Sequence, residues 1–245
     1  MNTIFTHKSI RKFKSTPVEK EVMTYILEAG VRASNTGNMQ VYSMVVTTNE
    51  KLLQRLGECH FNQPASKAPL QITFCADYNR FNKWCVQRNA EPGFNNFLSF
   101  LVGSCDAFLS AQNVCLAAEE KGLGACYLGT VMYSADKIID ILKLPKGVVP
   151  VATLVLGYPD ESPELTDRLP LEGVVHWETY KDYTSEDIDR IYLEKENSNL
   201  TKFLLEQNKK ETLAQIFTDN RYPKKINEDI SEMLMNILKK QGFLQ

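Results

Sequence analysis

The segment His7-Lys8-Ser9-Ile10-Arg11-Lys12-Phe13 concentrates side chains that bind anions. Lys8 and Arg11 donate hydrogen bonds as cations. The imidazole of His7 and the hydroxyl of Ser9 can donate as well. In an extended chain His7, Ser9 and Arg11 face one side, because side chains alternate at period two. Three donors on one edge suit a dianionic phosphate, which Arg binds in a two-pronged fashion. We therefore interpret this N-terminal segment (residues 7–13) as a phosphate-binding element.

Two other interpretations of the N-terminal segment start from its composition. It could be a solvated basic arm that binds nothing specific. It could also be an organelle-targeting peptide, since it is basic, rich in hydroxyls and lacks acids until Glu19. Against targeting, no small-residue cleavage site follows, and a helix start signal begins at once.

Length and composition restrict the class of protein. A chain of 245 residues with 43% hydrophobic and 24% charged residues suits one α/β core or two small domains, and excludes disordered and fibrous proteins. The formal net charge of -2 gives no broad attraction to nucleic acid or to an anionic membrane. The local basic segment therefore indicates a small anionic ligand.

No signature of catalysis by side chains or metal is found in the sequence. There is no Ser-His-Asp arrangement, Walker loop or G-x-G-x-x-G, and the three histidines lie far apart. The six cysteines form no C-x-x-C pair and no metal-like cluster, so we expect reduced thiols and a cytoplasmic protein. The longest apolar stretch, 97–118, contains Asp106, Gln112 and Asn113, which indicates a buried helix and not a membrane span.

Alternating helix and strand signals place these groups on an ordered scaffold. Thr16-Pro17-Val18-Glu19 has the pattern of a capping box with Pro at the first helical position, and Thr184 starts a second one. Asp106 in the long apolar helix should be paired with a basic residue or exposed near an end. Helices are predicted at 17–33, 49–59, 96–121, 134–144, 197–217 and 226–241, and strands at 41–48, 71–76, 125–131 and 148–156.

Four motifs in a fixed order carry a family resemblance. They are the N-terminal segment, SNTGNMQ at 34–40, the run LGACYLGT at 123–130 and LTDRLP at 165–170. In this the chain resembles the FMN-dependent nitroreductase and flavin reductase family, in its NADPH-preferring, oxygen-insensitive branch. The resemblance implies an α+β fold, a mostly antiparallel central sheet wrapped by helices, in an intertwined homodimer. It also implies a nitroreductase-like core at 1–175 and a helical extension at 176–245 that packs on the core and on the partner subunit.

The resemblance also implies which residues hold the cofactor. The N-terminal segment would bind the FMN phosphate, Arg11 would also stabilise the reduced ring, and a backbone N–H at Gly129 would approach the flavin N5. Arg168 would complete the phosphate site, although Thr166 stands where the family usually has Lys. Lys209 and Lys210 are loose matches to the basic residues that some members use for the NADPH 2'-phosphate. The full set of expected FMN contacts is His7, Lys8, Ser9, Arg11, Asn35, Thr36, Gln63, Tyr127, Leu128, Gly129, Thr130 and Arg168.

The resemblance implies a flavin-dependent activity without a catalytic side chain or metal. NAD(P)H would reduce FMN in a ping-pong cycle, and a small flat acceptor such as a nitroaromatic, quinone or free flavin would take the electrons. The alternative is a flavin-binding module that stores FMN without turnover. A nucleic-acid binder or a membrane protein is not expected. Oxidation of NAD(P)H with an added quinone separates the enzyme from the storage module.

Overall fold

An antiparallel sheet of four strands organises the computed structural model, which describes residues 3–244. The strand order is β1-β2-β4-β3, and each neighbouring pair is antiparallel. Every residue of the two central strands is buried, as expected for strands covered on both faces. The predicted α+β class is therefore confirmed. The strands are β1 Tyr42–Thr47, β2 Leu70–Asp77, β3 Gly124–Tyr127 and β4 Val148–Gly157.

Ten α-helices are found in the described residues. The longest packs against the sheet and has Asn96 as its N-cap, whose side chain accepts from Ser99 N. The helices are α1 Thr3–Thr6, α2 Lys20–Val31, α3 Glu50–Cys59, α4 Asn79–Gln87, α5 Phe97–Glu120, α6 Ala135–Leu142, α7 Ser185–Asn197, α8 Asn199–Asn208, α9 Leu213–Gln215 and α10 Lys224–Gln241.

Two compact units divide the chain. Residues up to Glu164, together with those from Glu232 onward, form the first unit, and Leu165–Ser231 forms the second. The predicted capping box at Thr184 is confirmed in the second unit, where Thr184 and Asp187 exchange side-chain and backbone hydrogen bonds. The packing of residues 176–245 on a partner subunit stays a prediction.

Three predicted helix features are wrong. The capping box at 16–19 does not form, because α2 begins only at Lys20 and Glu19 makes no side-chain cap. The helix predicted at 134–144 is shorter, Ala135–Leu142, and Ser134 is its N-cap without a capping hydrogen bond. The single helix predicted at 197–217 is interrupted at Lys209, whose φ of 52° is left-handed, and a new helix starts after Thr212.

The strand predicted at 125–131 is shorter than expected. β3 ends at Tyr127, and Gly129–Ser134 forms a 3-10 helix. Leu128 N still donates to Thr153 O of β4, and after Leu128 the chain leaves strand geometry, with Gly129 exposed and Thr130 partly exposed. Shorter 3-10 segments lie at Thr36–Asn38, Pro64–Lys67 and Leu171–Gly173, and a π-helix at Ile216–Arg221.

The N-terminal segment lies along the edge strand β3. Ser9 forms a parallel bridge with Ala125, and Ile10 N donates to Ala125 O at 2.9 Å. Ile10 is 5% exposed and fills the space beside Gly124, where a Cβ would lie 2.8 Å from Ile10 Cβ. The absence of a side chain at Gly124 therefore allows the basic segment to approach the sheet.

We expect Gly124→Ala to destabilise the first unit by about 1–3 kcal/mol, because the added methyl overpacks the contact with Ile10. Chemical denaturation at fixed protein concentration measures the change. Gly93→Ala is the matched control, since a Cβ there meets no atom within 4 Å. Equal stability of Gly124→Ala and wild type would contradict the proposed role of this close contact.

Candidate functional site

The alternation predicted for the N-terminal segment is found in its contacts. His7 Nδ1 lies 2.6 Å from Glu119 Oε1 at the end of α5. Lys8 points elsewhere, and its Nζ donates to Pro163 O at 2.8 Å and to Ser162 Oγ at 3.3 Å. Burial raises the pKa of the Cys126 thiol, and the Ser9 hydroxyl beside it partly offsets this rise. His7 and Ser9 thus share the side that faces α5 and β3.

Arg11 keeps its guanidinium available for a ligand. Its backbone N–H donates to Glu161 Oε1 at 2.5 Å, and Lys12 N donates to the same oxygen at 3.1 Å. The hydrogen bond from Arg11 N is the main reason that the pKa of Glu161 is lowered. Over residues 3–244 the Arg11 side chain has no hydrogen-bond or ion-pair partner. The backbone is therefore anchored while the cationic head remains exposed.

Cys115, which is buried, and Glu119, which is partly buried, lie beside His7. One ligand-type atom each of His7, Cys115 and Glu119 lies within 4.8 Å of the others. Burial raises the pKa of the Cys115 thiol to about 12, so the thiolate that a metal requires is disfavoured. Glu119 Oε2 is buried without a partner in the described structure. The carboxylate therefore acts mainly on His7.

A second cluster forms where the 3-10 helix after β3 meets the end of α3. Thr130 Oγ1 lies 2.8 Å from His60 Nδ1 and accepts from Gln63 Nε2 at 3.2 Å. A Cβ built on Gly129 meets no atom within 4 Å, so the face beside this cluster is open. Of the predicted contacts, Gln63, Gly129 and Thr130 are thus brought together.

His60 is the buried member of this cluster. It is 0% exposed, and desolvation lowers its pKa from 6.5 to about 4. Its Nε2 has no partner among the described residues. The ring is therefore neutral at physiological pH, and its hydrogen bonding is directed at Thr130.

We expect His60 to make the protein less stable in acid. Between pH 6.5 and about 4 the unfolded chain takes up a proton on His60 that the folded chain does not bind, so folding free energy is lost as pH falls. The loss amounts to about 3 kcal/mol. Urea unfolding of wild type and His60→Asn at pH 6.5 and pH 4 measures it. Parallel pH dependences in the two proteins would contradict a neutral buried His60.

The predicted turn residues Asn35 and Thr36 make hydrogen bonds within the chain. Asn35 Oδ1 accepts from Gln40 N, and Thr36 donates from both N and Oγ1 to Asp106 Oδ1, at 2.9 and 3.1 Å. Asp106 is 1% exposed, so the expectation that it pairs with a base or lies exposed near a helix end is wrong. Two hydrogen bonds from Thr36 satisfy Asp106 Oδ1 instead, and Oδ2 is buried without a partner in the described structure.

This turn and the N-terminal segment lie against different parts of α5. Asp106 holds the turn, whereas Glu119 holds His7 thirteen residues later. Thirteen residues correspond to about 20 Å along a helix. Within one chain Asn35 and Thr36 therefore do not join the cluster around His7.

The remaining predicted FMN contacts, Leu128, Tyr127 and Arg168, differ in burial and in hydrogen bonding. Leu128 is 2% exposed and packs in an apolar cluster with Ala65 and Val155, and its backbone N–H donates to Thr153 O at 2.9 Å. Tyr127 OH lies 3.5 Å from Gln112 Oε1, and burial raises the pKa of this phenol. Arg168, in the second unit, donates to Thr166 O, Thr166 Oγ1 and Asp167 O.

Sequence reasoning missed His60 and Glu119. His60 precedes Gln63 by three residues in a polar loop, and Glu119 is one of two acids at the end of an apolar helix. Neither position carries a pattern that identifies its partner, because both contacts join residues about 70 or more positions apart. The packing of the 3-10 helix Gly129–Ser134 on α3 brings His60 to Thr130, and the N-terminal segment reaches the end of α5 at Glu119.

The hydrogen-bond donors of the N-terminal segment and of the cluster at Gln63, Gly129 and Thr130 fit a flat cofactor that carries a phosphate. Cationic and hydroxyl donors on the N-terminal segment suit a phosphomonoester. The open face at Gly129, with an amide and a hydroxyl beside it, suits the polar edge of a ring.

Comparison with known proteins agrees with these features. A model described as the nitroreductase family matches residues 4–158. The NADPH-flavin oxidoreductase of Vibrio harveyi is 34% identical over 189 residues, 77% of each chain.

Solved structures extend the similarity along the chain. A crystal structure from Bacteroides fragilis NCTC 9343 is 48% identical with a TM-score of 0.98 and covers 100% of both chains. The NADPH:FMN oxidoreductase from Vibrio harveyi complexed with NAD+ is 31% identical with a TM-score of 0.71, over 88% of this chain and 93% of that one. The predicted family fold is therefore confirmed.

Proposed function

Because this chain belongs to the nitroreductase family, we propose that it is an FMN-dependent NAD(P)H oxidoreductase. Two electrons from NAD(P)H would be passed to a small flat acceptor, namely a nitroaromatic, a quinone or free flavin. When bound, FMN supplies the hydride chemistry, and the protein supplies binding, orientation and electrostatics. The relatives favour an enzyme over a module that only stores FMN.

The observation that carries the proposal is the arrangement of Arg11. Its backbone is fixed by Glu161, and its guanidinium has no partner among the described residues. Of its neighbours, His7 contacts Glu119 of α5 and Ser9 pairs with Ala125 of β3. The anchored backbone sets the region that the Arg11 guanidinium can reach, and a guanidinium without a partner can bind a phosphate without first breaking an ion pair. Lys8, Tyr127 and Leu128 remain our proposed further contacts, although in the single chain Lys8 Nζ donates to Pro163 O and Leu128 N donates to Thr153 O.

The ring of FMN would be bound by Gln63, Gly129 and Thr130. The partly exposed side chains of Gln63 and Thr130 lie beside the open face at Gly129. Arg168 remains our proposed second cation for the phosphate, on the basis of the family motif. Thr166, in place of the usual Lys, holds the Arg168 guanidinium at 2.7 Å from its hydroxyl and orients it.

We propose a homodimer in which each site uses both subunits. The turn with Asn35 and Thr36 is held at Asp106, about 20 Å along α5 from Glu119, so it is better placed to serve a cofactor of the partner. On the same helix Leu98, Leu101 and Phe108 are 67%, 48% and 45% exposed. They recur at spacings of three and seven residues, which produces one apolar stripe. Such a stripe on a single chain is typical of a subunit interface.

NADPH is the nicotinamide that we propose, since the relatives are named for it. Lys210 Nζ pairs with Asp219 at 2.8 Å, which partly neutralises it. Lys209 is therefore the stronger candidate for the 2'-phosphate. We also propose a cytoplasmic location, which the six free cysteines support.

A steady-state assay tests the proposed function. Purified protein loaded with FMN should oxidise NADPH faster in the presence of a quinone than without it, and the reaction should transfer two electrons per NADPH. Protein reconstituted with riboflavin is the matched control for the phosphate. FMN-loaded protein that shows no acceptor-dependent turnover would favour the storage module.

A further inference from the structure

We infer that His60 is a positioning residue that orients the Thr130 hydroxyl, and with it the Gln63 amide, toward the bound cofactor. The inference rests on the proposed function, because the cofactor in question is FMN. Neither the sequence motifs nor the relatives assign a role to His60. What singles it out is a fully buried imidazole whose only side-chain partner in the described structure is a hydroxyl at the proposed site.

The position of His60 is fixed by the end of α3. Its N–H is shared between Leu56 O and Gly57 O, and it is the C-cap of the helix. The ring is 0% exposed. Thr130 lies on the 3-10 helix that packs against α3, with Oγ1 at 2.8 Å from the ring. The imidazole therefore holds Thr130 from a rigid element.

The protons of the cluster can be assigned by elimination. Thr130 Oγ1 accepts from Gln63 Nε2, and a hydroxyl has one proton of its own and can accept twice. If Thr130 donated to His60 Nδ1, the neutral ring would carry its proton on Nε2, which is buried without an acceptor. Orphaned buried N–H groups are rarer than unused lone pairs. The favoured tautomer therefore has Nδ1–H donating to Thr130.

This assignment determines what the cluster offers to a ligand. With both acceptor positions of Thr130 filled by His60 and Gln63, the hydroxyl proton has no acceptor among the described residues and is free to donate outward. Gln63 donates through Nε2, so its Oε1 is free to accept. A donor beside an acceptor is complementary to a carbonyl beside an N–H. The pyrimidine edge of a flavin presents this pair.

If His60 orients the Thr130 hydroxyl, its removal should change the midpoint potential of the bound flavin. Reduction adds electron density to the pyrimidine edge, so a donated hydrogen bond there stabilises reduced FMN more than oxidised FMN. Loss of the Thr130 donor should lower the preference for reduced FMN. A merely structural role of His60 would change stability and leave this preference unaltered.

The experiment compares FMN affinity and midpoint potential in four variants with wild type. They are His60→Phe, His60→Asn, Thr130→Val and the double variant of His60→Phe with Thr130→Val. We expect His60→Phe to bind reduced FMN about tenfold less well relative to oxidised FMN, equal to about 30 mV for a two-electron couple. His60→Asn, which retains a donor near the Nδ1 position, should stay within about threefold of wild type. The double variant should shift no further than Thr130→Val alone.

Controls separate this inference from the proposed function. Thr153→Val removes a buried hydroxyl that has no partner in the described structure and should leave the potential unchanged. If His60→Phe does not fold, Thr130→Val still tests the hydroxyl. A wild-type potential in folded His60→Phe, or additive shifts of His60→Phe and Thr130→Val, would overturn the inference while FMN binding stands. A wild-type protein that takes up no FMN would overturn the proposed function and this inference with it.

Discussion

Arg11→Ala is expected to weaken FMN binding by about ten- to a hundredfold, the equivalent of one hydrogen bond to a charged group. The guanidinium is exposed and has no partner in the described chain, so its removal leaves no buried charge behind. The loss should therefore appear in affinity and not in the stability of the apoprotein. Titration of the apoprotein with FMN, followed by flavin fluorescence, measures it.

Two comparisons make the Arg11 result specific. Lys12→Ala removes a neighbouring exposed cation that is outside the proposed site and should retain wild-type affinity. Riboflavin, which lacks the phosphate, should bind equally to wild type and Arg11→Ala if phosphate binding is the whole role. A more negative midpoint potential of the bound FMN in Arg11→Ala would show that Arg11 also stabilises the reduced ring. An unchanged potential would exclude this second role. Unchanged FMN affinity would contradict the phosphate assignment.

Replacing both Leu101 and Phe108 with Asp should convert the proposed dimer to a monomer. Each side chain is about half exposed in the single chain, at 48% and 45%, and lies on the apolar stripe of α5. Burial of a Leu or Phe contributes about 1.5–3 kcal/mol, and two charges in the interface add a desolvation cost. Dissociation should therefore be favoured by about a thousandfold or more. Light scattering after gel filtration measures the mass.

The matched control for the dimer is Val86→Asp, which alters an exposed apolar residue on α4, away from the stripe. It should retain the wild-type mass. Because the turn at Asn35 is proposed to serve the partner's cofactor, the monomeric variant should also lose FMN. A dimeric Leu101→Asp/Phe108→Asp variant would exclude this face of α5 as the interface.

The fold was predictable where periodic patterns extend over many residues. The long apolar helix, predicted at 96–121, is α5 at 97–120, and the strand predicted at 148–156 is β4 at 148–157. The predictions were wrong at the ends of helices and strands, because one or two contacts determine where an element begins or ends. Thr16 has the residue type of a cap, yet α2 begins four positions later. Gly129 lies in the segment 125–131, which was predicted to be a strand, but it starts a 3-10 helix after Leu128.

The candidate site was predictable only from motifs, not from its contacts. The N-terminal segment was identified from its residue types, and its alternating sides follow from strand geometry. The partners of that segment, Glu119 and Glu161, are more than 100 positions away and leave no local signal. The role of Asp106 was mistaken for the same reason, since its partner Thr36 comes from another element. Long-range hydrogen bonds of this kind depend on the folded arrangement of α3, α5 and β3.

The direct test of the proposed cofactor is the flavin content of the purified protein. We expect a yellow protein whose heat-released flavin is FMN, close to one per chain after incubation with excess FMN and removal of the free cofactor. Protein that remains colourless after this treatment, with no FMN released, would contradict the proposed function.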